Sequence, residues 1–212
     1  MTHQRHPDDH GRHARGGFAP GAGPASGRWA RGVWSVVLAA LFLGLGAGAA
    51  RAQESELEYK VKAAFLYNFI GFVEWPTNKL ARTDKEVIIG CLPDDAAMPI
   101  IAHALEGKIA EGRRIKVVIL REGEEAAGCH LLFLSRARRN QISEVLARLK
   151  TAPVLTVGEV EQFGERGGMI NLVRHERTFR FEVNLGAAER VGLRISSKLS
   201  SMATLVKTTT PP

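Results

Sequence analysis

Short apolar runs rich in β-branched residues alternate with helical patterns through the middle of this 212-residue chain. Two such runs lie at 87–92 and 115–120, and two further segments of strand length, at 130–134 and 154–157, continue the series. A weak helical pattern covers 96–105, and a clear one follows at 142–149, where the apolar residues share one face. Strands that alternate with helices predict a three-layer α/β domain with a mainly parallel central sheet.

The carboxyl-terminal third adds a hairpin to this sheet. Apolar and charged residues alternate along one segment in the order Phe179, Arg180, Phe181, Glu182, Val183. This period of two is typical of a strand with one buried face, and a polar turn at 174–177 joins it to the apolar run before it. Gly167 and Gly168 allow a positive φ or a close backbone approach at the entrance, and Asn184 can cap a following helix. We therefore predict that the sheet ends in an antiparallel hairpin.

Helical patterns also mark both ends of the domain. The first helix is predicted from Ser55 to Trp75, because apolar residues recur there at steps of three and four until Pro76 ends the helix. Leu199, Met202 and Leu205 indicate a final helix. These limits predict a single domain at 53–206, followed by a polar, proline-ended tail at 207–212 that we expect to be disordered.

An apolar segment near the amino terminus predicts export. Arg28 and Arg31 precede an apolar run at 33–43, and the following small residues end in Ala-Arg-Ala at 50–52, a form that signal peptidase accepts. We predict a signal peptide at 28–52 that is cleaved after Ala52 and directs the chain to the periplasm by the general secretory route. Residues 1–27 are predicted to be either a disordered leader or sequence ahead of the true start.

Loss of this leader changes the charge balance. Residues 1–52 contain six of the 29 Lys and Arg residues and two of the 22 Asp and Glu residues, so the remainder has a net charge of +3. Its basic clusters, Arg113-Arg114 and 136–139, are short and lie at the ends of elements. Nucleic-acid binding is therefore not expected, since it requires basic side chains concentrated on one face.

Catalytic patterns are missing from the sequence after residue 52. Its three histidines, His103, His130 and His175, are far apart, and no zinc-protease, nucleophile-elbow or phosphate-loop motif occurs. His130 begins an apolar strand and is expected to be a core residue. The sequence predicts no enzyme, no cofactor and no metal site.

The two cysteines, Cys91 and Cys129, leave two alternatives open. An oxidising compartment would allow a disulfide between them, which would close a long loop. If their strands are parallel neighbours in register, however, the two Cα atoms lie about 13 Å apart, beyond the ~7 Å limit for a bridge. A staggered register would remove that objection, and two buried thiols are the other alternative.

The first helix is apolar over more than one face. Tyr67, Phe69 and Val73 lie off its main apolar stripe, so the second face must pack inside the domain or contact a partner or a second copy. On the hairpin, Arg180 and Glu182 point away from the predicted core. The candidate interface therefore comprises Tyr67, Phe69, Val73, Trp75, Arg180 and Glu182.

Several blocks, taken in order, resemble the YfiR family of periplasmic proteins. The amino-terminal block is Tyr59-Lys60-Val61-Lys62-Ala63-Ala64-Phe65-Leu66-Tyr67-Asn68-Phe69, continued by Phe72-Val73-Glu74-Trp75-Pro76. The later blocks lie at 129–133, 154–157, 167–170, 180–184 and 192–199. The resemblance spans essentially all of the chain after the predicted cleavage site.

This resemblance implies a repressor that binds the periplasmic sensor domain of an inner-membrane diguanylate cyclase and lowers cyclic-di-GMP output. It also implies a homodimer, a redox response and relief of repression by an outer-membrane lipoprotein. The carboxyl half contains no cysteine after Cys129, so a second cysteine pair known in some members cannot be carried over. Two alternatives stay open, a periplasmic small-molecule binding module and an accessory subunit of a sensor histidine kinase.

Overall fold

The computed structural model describes residues 56–80, 84–93, 98–120, 126–176 and 178–209, all within one compact unit, Ala50–Pro212. The predicted leader at 1–27 and signal peptide at 28–52 lie outside the described residues. The helices are α1 (56–71), α2 (Met98–Leu105), α3 (Ile142–Arg148), α4 (Leu185–Glu189) and α5 (Ser197–Ser200). The strands are β1 (Val73–Glu74), β2 (Glu86–Cys91), β3 (Ile109–Ala110), β4 (Arg113–Ile119), β5 (Leu131–Leu134), β6 (Leu155–Gly158), β7 (Ile170–His175), β8 (Thr178–Val183), β9 (Arg194–Ile195) and β10 (Thr204–Leu205).

One sheet contains eight of the described strands, in the order β10-β8-β7-β6-β5-β2-β4-β3. The five strands from β7 to β4 run parallel, β7 and β8 form an antiparallel hairpin, and β3 is antiparallel to β4 at the far edge. The predicted α/β architecture, a mainly parallel sheet with an antiparallel hairpin, is confirmed. The central five strands follow the doubly wound order in which ligand crevices form at the carboxyl ends of strands.

Apolar side chains cover both faces of this sheet. On one face, α1, α2 and α4 pack over β2, β5 and β6 in a cluster that includes Leu66, Ile101 and Ala187. On the other face, α3 packs over Leu132 and Leu134 of β5. Alternate residues of each buried strand enter opposite clusters, as the pleat requires. These two clusters make the three layers.

The hairpin packs against α1 through its aromatic residues. The ring centroids of Phe65 and Phe181 lie 4.9 Å apart in an edge-on arrangement, and those of Phe69 and Phe181 lie 5.6 Å apart. Val183 is buried beside them. The predicted core side of this strand, Phe179, Phe181 and Val183, is therefore correct, as is the helix cap, since Asn184 Oδ1 accepts a hydrogen bond from Ala187 N at 2.9 Å.

The two glycines before β7 have the roles that the sequence indicates. Gly167 has a φ of 97°, in the left-handed region that glycine favours. A Cβ on Gly168 would lie 2.2 Å from the ring of Phe163, which is fully buried. The pair therefore makes a turn and lets the chain pass close to an aromatic side chain.

The first predicted helix is shorter than expected. It ends at residue 71, and Val73–Glu74 forms β1, which pairs antiparallel with β9. Ser196 N also donates to Phe72 O at 2.9 Å. Backbone bonds to a distant segment thus replace the last helical turn, which the apolar spacing alone could not indicate.

The predicted final helix and disordered tail need correction. Only Ser197–Ser200 is helical, and Thr204–Leu205 forms β10 beside β8. After it, Asn184 Nδ2 donates to Thr208 Oγ1 at 2.9 Å, and Thr209 N donates to Glu165 O at 3.0 Å. Residues 207–209 are therefore held against the domain, whereas 210–212 lie outside the described residues.

Candidate functional site

The structure places the two cysteines on opposite faces of the sheet. Cys91 pairs with Phe133 in the parallel register, so Cys129 lies four residues from the position opposite Cys91. Cys91 enters the cluster beneath α1, whereas Cys129 enters the cluster beneath α3. They are separate buried thiols. Of the two alternatives that the sequence left open, the disulfide is excluded by both register and side-chain direction.

Cys129 and His130 do not form a nucleophilic pair. Burial raises the pKa of the Cys129 thiol, which opposes the thiolate that a nucleophile requires. His130 Nδ1 accepts a hydrogen bond from Ile88 N at 2.9 Å, and Nε2 lies 3.2 Å from Lys79 O. Both ring nitrogens are therefore occupied by the backbone. His130 is a satisfied core residue, as expected from the sequence.

Most residues of the candidate interface on and after α1 pack inside the domain. Phe69 and Val73 are buried in the core, so neither can contact a partner. Their assignment to the candidate interface is therefore wrong. Tyr67 and Trp75 are half-buried, with Tyr67 Oη donating to Ile109 O at 2.7 Å and Trp75 Nε1 donating to His130 O at 3.2 Å. The second apolar face of α1 is thus mostly covered by packing inside the domain.

The hairpin members of that candidate set differ from one another. Arg180 is exposed, as expected. Glu182 is half-buried, and its Oε2 accepts a hydrogen bond from Asn171 Nδ2 at 2.9 Å. Replacing Glu182 would therefore disturb a polar network, and only Arg180 stays available for outside contacts.

A buried ion cluster joins α1 to the carboxyl end of β6. Lys62, only 3% exposed, lies 2.5 Å from Glu159 Oε2 and 2.7 Å from Glu58 Oε1. Glu58 also pairs with Arg174 on β7, and Glu159 Oε1 accepts from Arg136 N at 2.9 Å. Burial alone lowers the pKa of Lys62, but the two carboxylates outweigh it and raise that pKa. Lys62 is therefore a buried ammonium ion.

Lys62 is not among the candidate residues that the sequence indicates. Its signal was the i, i+4 pair that Glu58 and Lys62 make on α1. The 5.0 Å distance from Lys62 Nζ to the ring centroid of Tyr59 shows that the side chain also lies over aromatic surface. Glu159 is distant from Lys62 in the sequence, so the spacing of residues on α1 could not predict the whole ion cluster.

A cleft of about 860 Å³ opens beside this cluster, where β5 and β6 end and β7 continues beyond them. Its charged lining residues are Arg136, Arg139, Glu159, Glu161, Glu165, Arg166, Arg174 and Glu182. Positive and negative groups are equally represented, so the lining favours neither a strongly anionic nor a strongly cationic molecule. Crevices at this edge of doubly wound sheets commonly bind ligands.

Asn171 lines the cleft and has one unsatisfied atom. Its Nδ2 donates to Val160 O at 2.8 Å and to Glu182 Oε2. Because both of these partners are acceptors, the amide cannot be turned round without losing them. Asn171 Oδ1 is buried, and it has no hydrogen-bond partner among the described residues. The cleft therefore contains an acceptor that a ligand donor could satisfy.

Among the residues that the structure describes, no group of His, Cys, Asp and Glu is arranged to hold a metal ion. Within the same residues, no helix is both long and apolar enough to cross a membrane. The fold and site define a three-layer α/β domain with a cleft that is lined by charged side chains and the amide of Asn171.

The chain belongs to the YfiR/HmsC-like family, DUF4154, whose family model matches residues 59–204. This match confirms the resemblance seen in the sequence. The family is one of regulatory, non-catalytic proteins, and it connects the chain with the regulation of diguanylate cyclase signalling. None of the curated proteins matches this chain.

Two solved structures are similar to part of this chain. A conserved domain protein from Vibrio cholerae is 13% identical with a TM-score of 0.46, covering 61% of this chain and 57% of that chain. The ABC domain in complex with L-Trp from Streptococcus pneumonia is 11% identical with a TM-score of 0.43, covering 57% of this chain and 55% of that chain. This chain thus spans just over half the length of each.

Proposed function

We propose that this protein is an exported regulator that binds the periplasmic sensor domain of an inner-membrane diguanylate cyclase and represses cyclic-di-GMP synthesis. The observation that carries the proposal is the family match over 59–204, which extends from α1 to β10. The described residues contain no metal cluster, which is compatible with action through protein contacts.

We place the contact with the cyclase on the outward face of α1. Leu57 and Val61 are 64% and 36% exposed, and Ala64 and Asn68 continue the same exposed stripe at steps of three and four. Exposed apolar side chains that share one helix face are typical of a surface covered by another protein. A second copy of this chain could cover the same face, which would make it the interface of a homodimer.

Deletion of the gene is expected to raise cyclic-di-GMP and surface attachment, because the repressed cyclase would be released. The wild-type gene should restore the low level, whereas Leu57→Glu/Val61→Glu should not, since two carboxylates would have to be buried in the contact. The measurements are nucleotide level in the complemented strains and co-purification of the tagged protein with membrane proteins.

The matched control is Met202→Glu/Ile119→Glu, because these side chains are also about half exposed but do not belong to α1. This variant should restore the low nucleotide level. An unchanged level after deletion, in cells shown to express the protein, would contradict regulation of a cyclase. Co-purification of a sensor kinase would instead support the accessory-subunit alternative.

Export is a second prediction of the proposal. The protein recovered from cells should begin within a few residues of Gln53 and be found in the periplasmic fraction, because signal peptidase should cut after Ala52. Amino-terminal sequencing of the fractionated protein measures this. Full-length protein confined to the cytosol would contradict the proposal, because the proposed contact takes place in the periplasm.

A second candidate function is small-molecule binding at the cleft. The unsatisfied Oδ1 of Asn171 favours it, because a buried acceptor without a donor costs stability that a ligand could recover. Co-purification with a transporter instead of a cyclase would favour this alternative.

A further inference from the structure

We propose that the cleft binds a short peptide, which lies in extended form beside β7 as an added strand. The cleft has a volume of about 860 Å³, within the range of about 300–1,000 Å³ that is usual for ligand sites. This proposal rests on the second candidate function, binding at the cleft, and is independent of the contact with the cyclase.

Strand β7 is longer than its neighbour on the cleft side. The pairing between β6 and β7 ends at Gly158 and Asn171, whereas β8 pairs with the other side of β7 as far as His175. Among the described residues, the segment 172–175 therefore has a strand on one side only. At ~3.3 Å per residue this open edge is about 13 Å long, which is enough for a peptide of about three or four residues.

The backbone of Leu172 faces this open edge. In an antiparallel pair, successive residues direct their N–H and C=O groups alternately toward the partner strand and away from it. Asn184 N donates to Met169 O at 2.8 Å, so Met169 and every second residue after it face β8. Leu172 therefore directs its backbone groups to the cleft side, while its side chain enters the cluster beneath α1. It presents to the cleft a strand carbonyl beyond the last residue pair of β6 and β7.

The preceding residue provides a second acceptor. Asn171 is 2% exposed and lines the cleft, and its Oδ1 has no hydrogen-bond partner among the described residues. Its Nδ2 is held by Val160 O and Glu182 Oε2, which fixes the orientation of the amide. One acceptor from the backbone and one from a buried amide require a ligand that carries N–H or O–H donors. A peptide has a backbone N–H at every residue except proline, whereas a simple carboxylate has only acceptors.

The charged side chains around the cleft suit the two termini of a peptide. Arg136 and Arg139 come from the segment after β5, and Glu161 and Glu165 come from the segment after β6. All four are exposed. A terminal ammonium group and a terminal carboxylate can therefore each find an opposite charge at the rim. Because these two segments flank the open edge of β7, the cleft favours a short peptide over a strand that belongs to another folded domain.

The test measures which tetrapeptides of the form Ala-Xaa-Xaa-Ala, with free termini, the purified protein retains in equilibrium dialysis followed by mass spectrometry. The best-retained peptide is then made again with an N-methyl group on one amide at a time. Methylation of an amide that faces β7 should weaken binding about tenfold or more, because it removes a donor and blocks the approach of the strand. Methylation of the next amide should have little effect, since successive N–H groups point to opposite sides of a strand. NMR should show contacts between amide protons of the peptide and the backbone of Leu172.

A substitution on the wall of the cleft tests where the peptide binds. Ser143 is exposed on α3 and lines the cleft, so Ser143→Trp should fill the cleft without entering the core and should abolish retention of the peptide. The matched control is Ala147→Trp, because Ala147 is exposed one turn further along the same helix and does not line this cleft. This control should bind the peptide as the unaltered protein does, and circular dichroism checks that both variants fold.

Retention of no tetrapeptide, or undiminished binding by Ser143→Trp, would overturn the peptide site. Equal tolerance of N-methylation at every amide, with binding still lost in Ser143→Trp, would overturn the added strand but keep binding at the cleft. If Ser143→Trp fails to fold, the methylation series on the unaltered protein decides the question. The contact with the cyclase is tested separately, by the nucleotide level in cells that carry Leu57→Glu/Val61→Glu.

Discussion

Lys62→Met is expected to lower the free energy of unfolding by about 3–5 kcal/mol, because it leaves the buried carboxylate of Glu159 without a cation. Glu159 is 7% exposed, and its other contact, the backbone N of Arg136, does not carry a full charge. Glu58 is less affected, since it keeps Arg174. Urea unfolding at neutral pH, followed by circular dichroism, measures the loss.

A double variant separates charge from packing. Lys62→Met/Glu159→Gln removes both charges and keeps an oxygen for Arg136 N, so it should recover most of the lost stability. A double variant as unstable as Lys62→Met would show that the lysine stem, lying against Tyr59 and Phe179, is what matters.

An exposed pair on the same helix provides the reference for this effect. Lys60 and Glu56 lie 2.7 Å apart, as close as Lys62 and Glu58, but their side chains are 58% and 51% exposed. Lys60→Met should therefore change stability by less than about 1 kcal/mol. A large loss there would mean that loss of the ion pair itself, and not its burial, sets the cost on α1, because Lys and Met have similar helix propensities.

The parallel sheet and the hairpin were predictable because their signals are local. Each central strand is a short apolar run, and the residues of β8 alternate between a buried and a charged side. The helix of α3 was equally clear, since Ile142, Leu146 and Leu149 all enter one cluster. In these elements, burial follows the period of the secondary structure, which the sequence displays directly.

The short elements were not predictable, because their partners define them. Strands β1, β9 and β10 have two residues each, too few for any periodic pattern. They exist where the chain passes an available backbone edge, as Thr204 does beside Glu182. The predicted last helix is wrong beyond Ser200 because Met202 and Leu205 are exposed instead of forming a buried helix face. Leu205 pairs with Val183 of β8 instead.

In the candidate site, too, local features could be predicted from the sequence, whereas features that depend on distant partners could not. The hydrophobic character of α1 was evident, but which side of it was covered depended on the hairpin, and Phe69 turned out to be buried beneath Phe181. Lys62 could not be predicted as a buried residue because a lysine is normally exposed, and only the fold brings its partner Glu159 to it. Asn171 was overlooked too, since its place in the cleft depends on how far β7 extends beyond β6.

Phe69→Ala is expected to cost about 3–5 kcal/mol of unfolding free energy, because truncation would open a cavity between α1 and the hairpin. The ring is 1% exposed and lies 6.3 Å from Phe65 and 5.6 Å from Phe181, measured between centroids. Phe181→Ala should cost less, since that side chain is half-buried. Denaturant unfolding of both variants measures the difference.

The double variant Phe69→Ala/Phe181→Ala tests whether α1 and the hairpin stabilise each other. Edge-on aromatic pairs contribute about 0.5–1.5 kcal/mol beyond the area they bury, so the double variant should lose that much less than the two single losses together. Phe72→Ala, at the residue just after α1, is the comparison, because its ring is half-buried and lies beneath Lys198. If the stability losses of Phe69→Ala and Phe181→Ala are strictly additive, the two rings pack independently. The backbone hydrogen bonds between β8 and β7 would then be what positions the hairpin.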